Sequence, residues 1–320
     1  MSQVVVVGSY NQDFVWTADA LPAPGATRLG TFAGGPGGKG FNQAVAAARA
    51  GATTTFITAL GADDTAAGAR ALAAAEGIDL RDEVFAGLAT GTAGIFVDGD
   101  GRNVIVVAPG ANAALSAGFV QAQADAFRGA RVVLAQLEVA ADAVQAALDA
   151  AGAAGALALL NPAPANAPTT DTMLAVADVL TPNETEFAAM LGRHEGREVD
   201  PDTLAACPDA ELHALCRALA PRATVVITLG AAGAFVSHGD SLRGDSASAY
   251  RVPAEPAKAV DTTGAGDAFS GALAAALARA TTDAPFADAV RFATRFAARS
   301  TERHGAALAM PRHSELIASG

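Results

Sequence analysis

The chain has 320 residues, with 21 Lys+Arg against 33 Asp+Glu, a formal net charge of −12, 51% hydrophobic residues and 17% charged ones. Such hydrophobicity excludes a disordered chain. The acidic balance argues against a nucleic-acid or anionic-membrane surface, which needs a basic footprint, yet it is compatible with phosphate ligands, which backbone N–H groups bind locally.

Val4–Val7 is a β-branched run ending at Gly8-Ser9 and reads as a buried strand. Residues 25–38 are glycine-rich and read as loop or irregular strand. Phe41 to Ala50 turns helical with Gly51 as its stop. A strand is expected over Thr53–Leu60 and a helix from there to about Glu76, ended by Gly77. The apolar runs 93–98 and 102–108 flank Asp98-Gly-Asp-Gly101, a hairpin signal. Phe119–Phe127 reads as helix, Arg131–Leu137 as strand, Ala141–Ala151 as helix, Ala156–Leu160 as strand, and Val179–Leu180 as a strand end followed by a helix. Thr224–Leu229 is a strand, Thr262–Arg279 a glycine turn opening a long helix, and Pro285–Arg299 another helix. Strands alternating with helices predict a three-layer α/β/α fold around an open, mostly parallel sheet. Segments 10–35 and 93–108 break the alternation and fit a small antiparallel β-sheet lid on the ligand side. Cys207 and Cys216 read as two helical thiols of a reducing compartment, too few for a disulfide scaffold. The N-terminus lacks a basic n-region and a long apolar h-region, and the uncharged stretch 150–170 is broken by prolines. No signal peptide and no membrane span are expected, and a cytoplasmic location is.

In open α/β sheets ligands bind beyond the carboxyl ends of the strands. Asn11, Asp13, Glu138, Asn161, Asn183 and Glu186 occupy such ends. Gly35-Pro-Gly-Gly-Lys-Gly40 matches G-x-G-x-x-G in form but does not directly follow a strand. A Walker A loop fails too, because Gly40 stands where Ser or Thr is needed. What remains is a turn whose backbone admits a polar ligand, with Lys39 and Asn42 three residues apart on one side of a helix start. In Asp261-Thr-Thr-Gly-Ala-Gly-Asp267, Gly264 and Gly266 can expose N–H groups at a helix start, an anion hole. Asp267 there is either a helix cap or the general base of a phosphoryl transfer. Asn183 and Glu186 read as an N-cap with an acidic first turn, or as holders of hydrated Mg²⁺. Thr228-Leu-Gly230-Ala-Ala-Gly233 is a strand end with a glycine turn. The five histidines are scattered without metal-site pairing, and no G-x-S-x-G elbow occurs.

Taken together, the segments resemble the ribokinase branch of the PfkB sugar-kinase family. The resemblance rests on Gly8-Ser-Tyr-Asn-Gln-Asp13, Gly37-Gly-Lys-Gly-Phe-Asn-Gln-Ala44, Gly110-Ala-Asn-Ala-Ala-Leu-Ser116, Gln136-Leu-Glu138, Asn161-Pro-Ala-Pro-Ala165, Thr181-Pro-Asn-Glu-Thr-Glu186 and Asp261–Asp267, in order along nearly the whole chain. It implies a single domain over 1–320, a lid that pairs subunits into a homodimer, and ATP-dependent phosphorylation of the 5-hydroxyl of D-ribose. By the same resemblance Asn11, Asp13, Gly38, Lys39, Asn42 and Glu138 hold the sugar. Asp267 is the base, and Gly264, Ala265 and Gly266 form the anion hole. Asn183, Thr228, Gly230, Gly233 and Gly266 face ATP, with Asn183 and Glu186 holding Mg²⁺ through water. Asp261, Thr263, Ser300, Arg303 and Gly305 supply a K⁺ site, mostly through carbonyl oxygens. Three positions depart from the pattern. Phe41 stands where a small residue is usual and could face the sugar or pack inward, Ala26 replaces a Glu, and Ala309 sits where a Ser often completes the cation site. Other acceptors (fructose, a 2-keto-3-deoxy sugar acid, a nucleoside) and a non-catalytic sugar or nucleotide sensor are the alternatives.

Overall fold

The computed structural model describes residues 3–281 and 284–317. In chain order its elements are β1 (Val4–Val7), β2 (Asn11–Thr17), β3 (Thr31–Gly37), α1 (Lys39–Arg49), β4 (Thr54–Gly61), α2 (Asp64–Ala75), β5 (Asp79–Phe85), β6 (Gly91–Val97) and β7 (Asn103–Ala108). There follow α3 (Ala117–Ala122), α4 (Ala124–Phe127), β8 (Val132–Ala135), α5 (Ala141–Ala154), β9 (Leu157–Leu160), α6 (Asp171–Val176), β10 (Val179–Leu180), α7 (Glu184–Glu195), α8 (Asp209–Leu219) and β11 (Thr224–Thr228). The last are β12 (Ala234–Ser237), β13 (Ala249–Val252), α9 (Ala265–Arg279), α10 (Phe286–Ser300) and α11 (His313–Ile317).

Nine strands form one sheet in the order β13-β12-β11-β10-β9-β8-β1-β4-β5. Pairing is parallel from β5 to β11 and antiparallel for β11–β12 and β12–β13. The central strands are short apolar runs, as burial on both faces demands. Their side chains alternate between two cores: Val5 and Val7 pack with Val133, Leu160 and Phe187, while Val4 and Val6 pack with Phe41, Leu134 and Ala272. The chain runs outward from β1 to β4 and β5, then returns to β8 on its other side. The switch point is therefore at β1 and β8, where open α/β sheets place their ligands.

The second sheet has the order β3-β2-β6-β7. It corrects the antiparallel expectation: β2–β3 and β6–β7 are antiparallel, but the central β2–β6 pair is parallel. Thr31–Gly37 is regular strand, held in register along β2 from Thr17 to Asn11. The helix expected over 119–127 is two pieces that meet at Gln123. Cys207 lies just past a 3₁₀ turn, and only Cys216 is in a helix. Strands β5, β12 and β13 were not expected. β5 is a charged edge strand, and the other two are short and mixed in residue type rather than continuous aliphatic runs. Among the described residues no helix is long and apolar enough to cross a membrane.

One helix crossing sets the site. α9 packs on α1 at Gly271, where a Cβ would run into the Gln43 carbonyl and lie 2.6 Å from the Ala46 Cβ. This contact brings the first turns of both helices together under the ends of β1 and β8. Gly271→Val should destabilise the fold by about 2 kcal/mol, the usual cost of overpacking, although a helical Gly is itself unfavourable. Urea denaturation of both proteins measures it, and unchanged stability would mean that the helices do not meet there.

Candidate active site

The site grows out of the turn after β1. Gly40 packs its backbone on that turn, and a Cβ there would lie 2.5 Å from the Ser9 nitrogen. At this distance Ser9 and Glu138 satisfy the first amides of α1. Lys39 N donates to Glu138 Oε2 at 3.0 Å, Phe41 N to Ser9 O at 2.9 Å, and Ser9 Oγ to Glu138 Oε2 at 2.6 Å. A carboxylate at the positive end of a helix is stabilised by the helix dipole. Glu138 Oε1 accepts from no described residue and is open to a ligand hydroxyl.

β2 carries the other half of this rim. Alternation turns Asn11 and Asp13 to one face and Phe14 and Trp16 to the other. Gly37 leaves room for the Asp13 carboxylate, which a Cβ would otherwise meet. Asn11 Oδ1 accepts from Asn112 Nδ2 at 2.9 Å, and Asn112 also donates to Tyr10 O and accepts from Tyr10 N. Asn112, which sequence reasoning left without a role, therefore fixes Asn11. Burial, then the nearby Glu138 and Asp267 charges, push the Asp13 pKa up to about 7.

Asp267, in the first turn of α9, is buried. Its Oδ2 accepts from Asn42 Nδ2 and its Oδ1 from Gln43 Nε2, both at 2.9 Å. Burial raises its pKa, opposed by the Lys39 charge and by both amide donors. Lys39 is held above its usual value: burial lowers it, but Asp267, Glu138 and Glu186 outweigh that. Asn42 Oδ1 is buried with no partner, an acceptor aimed at nothing in the protein itself. Phe41 points inward, edge-on to Tyr10 with ring centres 5.1 Å apart, so the extra bulk enters the core.

On the far side of Asp267 lies a cavity of about 140 Å³ lined by Lys39, Asn183, Glu186, Thr228, Gly264 and Gly266 among others. Gly264 caps α9 at φ 75°, and a Cβ there would crowd the Ala306 Cβ at 2.9 Å. The amides of Gly264 and Gly266 donate to no described group, whereas that of Ala265 bonds Thr262 O at 3.2 Å. Asn183 and Glu186 form a reciprocal capping box at the start of α7. Burial raises the Glu186 pKa. Among the described residues no group of three or more His, Cys, Asp or Glu could hold a metal. Gly230 and Gly233 make the turn after β11 and do not line this cavity; Gly233, at φ 90°, packs on the end of β13.

The residues around Asp261 form a brace. Its carboxylate accepts from Thr263 N and Gly305 N, each at 2.9 Å, and these bonds overcome partial burial to keep its pKa low. The loop before α9 is thereby tied to the loop after α10. The Ser300 hydroxyl donates to Ala297 O and the Arg303 guanidinium to Glu315.

The profile of the pfkB family carbohydrate kinases matches residues 1–313. The chain belongs to that family. It is 39% identical over 282 residues to a bifunctional ribokinase/ribose-5-phosphate isomerase A of Fructilactobacillus sanfranciscensis, covering 87% of this chain and 49% of that one, so it spans about half of that relative. It is 36% identical over 327 residues to a ribokinase of Schizosaccharomyces pombe, covering 100% and 98% of the two chains. A deoxyribokinase of Salmonella typhi is 31% identical over 275 residues, covering 85% and 84%. Among solved structures, Arabidopsis thaliana ribokinase complexed with ribose and ATP superimposes with a TM-score of 0.80 at 27% identity, covering 99% and 98%. The fold is thus ribokinase-like, and the chain is a member of the pfkB family of carbohydrate kinases.

The crowding of three carboxylates can be tested without a substrate. ¹³C NMR of aspartate-labelled protein should show Asp13 titrating near pH 7. In Glu138→Gln its midpoint should fall, because a like charge that opposes ionisation is gone. A midpoint in the ordinary Asp range in the parent would contradict the geometry.

Proposed function

We propose that the protein is a ribokinase, transferring the γ-phosphoryl of ATP to the 5-hydroxyl of D-ribose. The observation that carries this reading is Asp267, placed between a rim of hydroxyl-binding groups and a cavity edged by the unpaired amides of Gly264 and Gly266. Ribose is supported by the match of the Asn11/Asp13, Gly38–Asn42 and Glu138 segments to ribokinases and by the names of the relatives. Asn11, Asp13, Gly38, Lys39, Asn42 and Glu138 hold the sugar. The open Oε1 of Glu138 and the unpartnered Oδ1 of Asn42 accept from its hydroxyls. Asp267 takes the proton of the acceptor hydroxyl as that oxygen attacks phosphorus in line with departing ADP. The amides of Gly264 and Gly266, with Ala265 beside them, and the Lys39 ammonium stabilise the charge on the transferred group. Asn183, Thr228, Gly230 and Gly233 face ATP. The buried carboxylate of Glu186, with one oxygen on the Asn183 amide, suits water-mediated contact with the Mg²⁺ of ATP, which neutralises charge between the phosphates. Asp261, Thr263, Ser300, Arg303 and Gly305 would hold K⁺, mostly through carbonyl oxygens, and its charge would brace the anion-hole loop. The lid excludes water when it closes over the sugar.

A coupled ADP assay over a panel of acceptors tests the reading. D-Ribose should give the highest kcat/KM, with 2-deoxyribose, fructose and adenosine each at least about tenfold poorer, since a site that pairs hydroxyls penalises an acceptor leaving one group unpaired. The rate should rise when K⁺ replaces Na⁺. Asp267→Asn should lower kcat by about 10²–10⁴-fold with ribose and ATP binding retained. Another acceptor winning by tenfold overturns ribose but not the kinase. Near-parental kcat in Asp267→Asn overturns the base.

The outer face of the lid supports a homodimer. Trp16, Phe32 and Phe96 stack across neighbouring strands while 41%, 58% and 39% exposed, and Val104–Val107 on the edge strand β7 are exposed as well. Such a contiguous apolar patch marks an interaction surface. Light scattering should show a dimer for the parent and a monomer for Trp16→Glu. A monomeric parent contradicts the assignment.

A further inference from the structure

Behind Asp267 lies a chain of buried amides that none of the roles above uses. Gln43 Nε2 donates to Asp267 Oδ1 and to Asn161 Oδ1, each at 2.9 Å. Gln136 Nε2 donates to Gln43 Oε1 at 2.5 Å, and Asn161 Nδ2 to Thr181 O at 2.7 Å. Gln43 and Gln136 are both fully buried. The network joins α1, α9 and the ends of β8, β9 and β10.

Its polarity follows from one fact: an ionised carboxylate only accepts. Asp267 therefore requires the NH₂ of Gln43. That turns Gln43 Oε1 toward Gln136, which must answer with its own NH₂. Gln136 Oε1 is then left buried with no partner, a cost the fold carries. Space for Gln136 comes from Gly8, whose Cβ would collide with Gln136 Oε1.

We propose that Gln43 is the positioning residue of the phosphoryl transfer: it fixes Oδ1 of Asp267 so that Oδ2, on the Asn42 side, faces the acceptor hydroxyl, and Gln136 fixes Gln43. This rests on the kinase reading of the same site. Gln43 touches the base and not the substrate. Its hydrogen bond also favours the ionised form of Asp267 against burial and against the neighbouring carboxylates of Glu138 beyond β8, Glu186 on α7 and Asp13 on β2. Lys39 on α1 is the cation that assists it.

The test is the near-isosteric Gln43→Met. Loss of a hydrogen bond to a charged group should move the acid limb of the kcat profile up by about one pH unit or more, so that kcat at a pH on that limb falls by about tenfold or more. KM for sugar and ATP should stay within about threefold, and much of the rate should return above the shifted limb, because the higher pH ionises the base again. Gln136→Met keeps Gln43 but lets its amide turn over, and should shift the limb in the same direction by less. It decides the matter if Gln43→Met does not fold. Should the parent phosphorylate no acceptor, the kinase reading fails by itself. ¹³C NMR of ligand-free aspartate-labelled protein then reads the inference, which expects a higher Asp267 midpoint in Gln43→Met. An unmoved pH limb and an unmoved Asp267 midpoint, with only thermal stability lost, would make the network structural and overturn the proposal.

Discussion

A carboxylate at the buried start of α9 is the constraint on which the rest of the molecule turns. Taking Asp267 out of water favours its neutral form, yet the proposed base must be able to hold charge. The fold answers with two amide donors from α1, the Lys39 ammonium and the positive end of α9 itself. Those groups reach it only because α1 and α9 cross without a side chain at Gly271, and because the turn after β1 lets α1 start directly against Ser9 and Glu138.

This arrangement divides the site by chemistry. On one side carboxylates and amides gather around a space suited to hydroxyls, where burial, and then the Glu138 and Asp267 charges, push the Asp13 pKa up to about 7. On the other, free amides and one ammonium edge a small cavity suited to phosphate. Lid strand β2 carries Asn11 and Asp13 on one face and Phe14 and Trp16 on the other, so the polar rim of the site and the exposed aromatic surface share one sheet. Asp261 links the loop before α9 to the loop after α10.

Much of the architecture is legible in the sequence because β-branched runs ending at glycine or polar turns mark parallel strands, and Ala-rich segments mark the covering helices. Strands β12 and β13 escape because Ala-Phe-Val-Ser and Ala-Tyr-Arg-Val are short and not continuous β-branched or aliphatic runs, and β5 because its charged alternation suits an edge. Asp267, Lys39, Asn42 and Glu138 stand out by residue type next to glycines. Gln43, Gln136 and Asn112 do not. Buried amides have no charge to single them out, and their importance lies in which groups they face across 93 to 224 residues of sequence. Phe41 shows the converse: beside Lys39 and Asn42 it could reshape a pocket, yet helical geometry turns it to the core against Tyr10.

A crystal structure with D-ribose and a non-hydrolysable ATP analogue tests the central claim most directly. The account predicts the 5-hydroxyl about 2.6–3.2 Å from an Asp267 carboxylate oxygen, the range of a general base. It also predicts the γ-phosphate on the amides of Gly264 and Gly266. A sugar bound with its 5-hydroxyl directed away from Asp267, or a triphosphate that bypasses the start of α9, would contradict it.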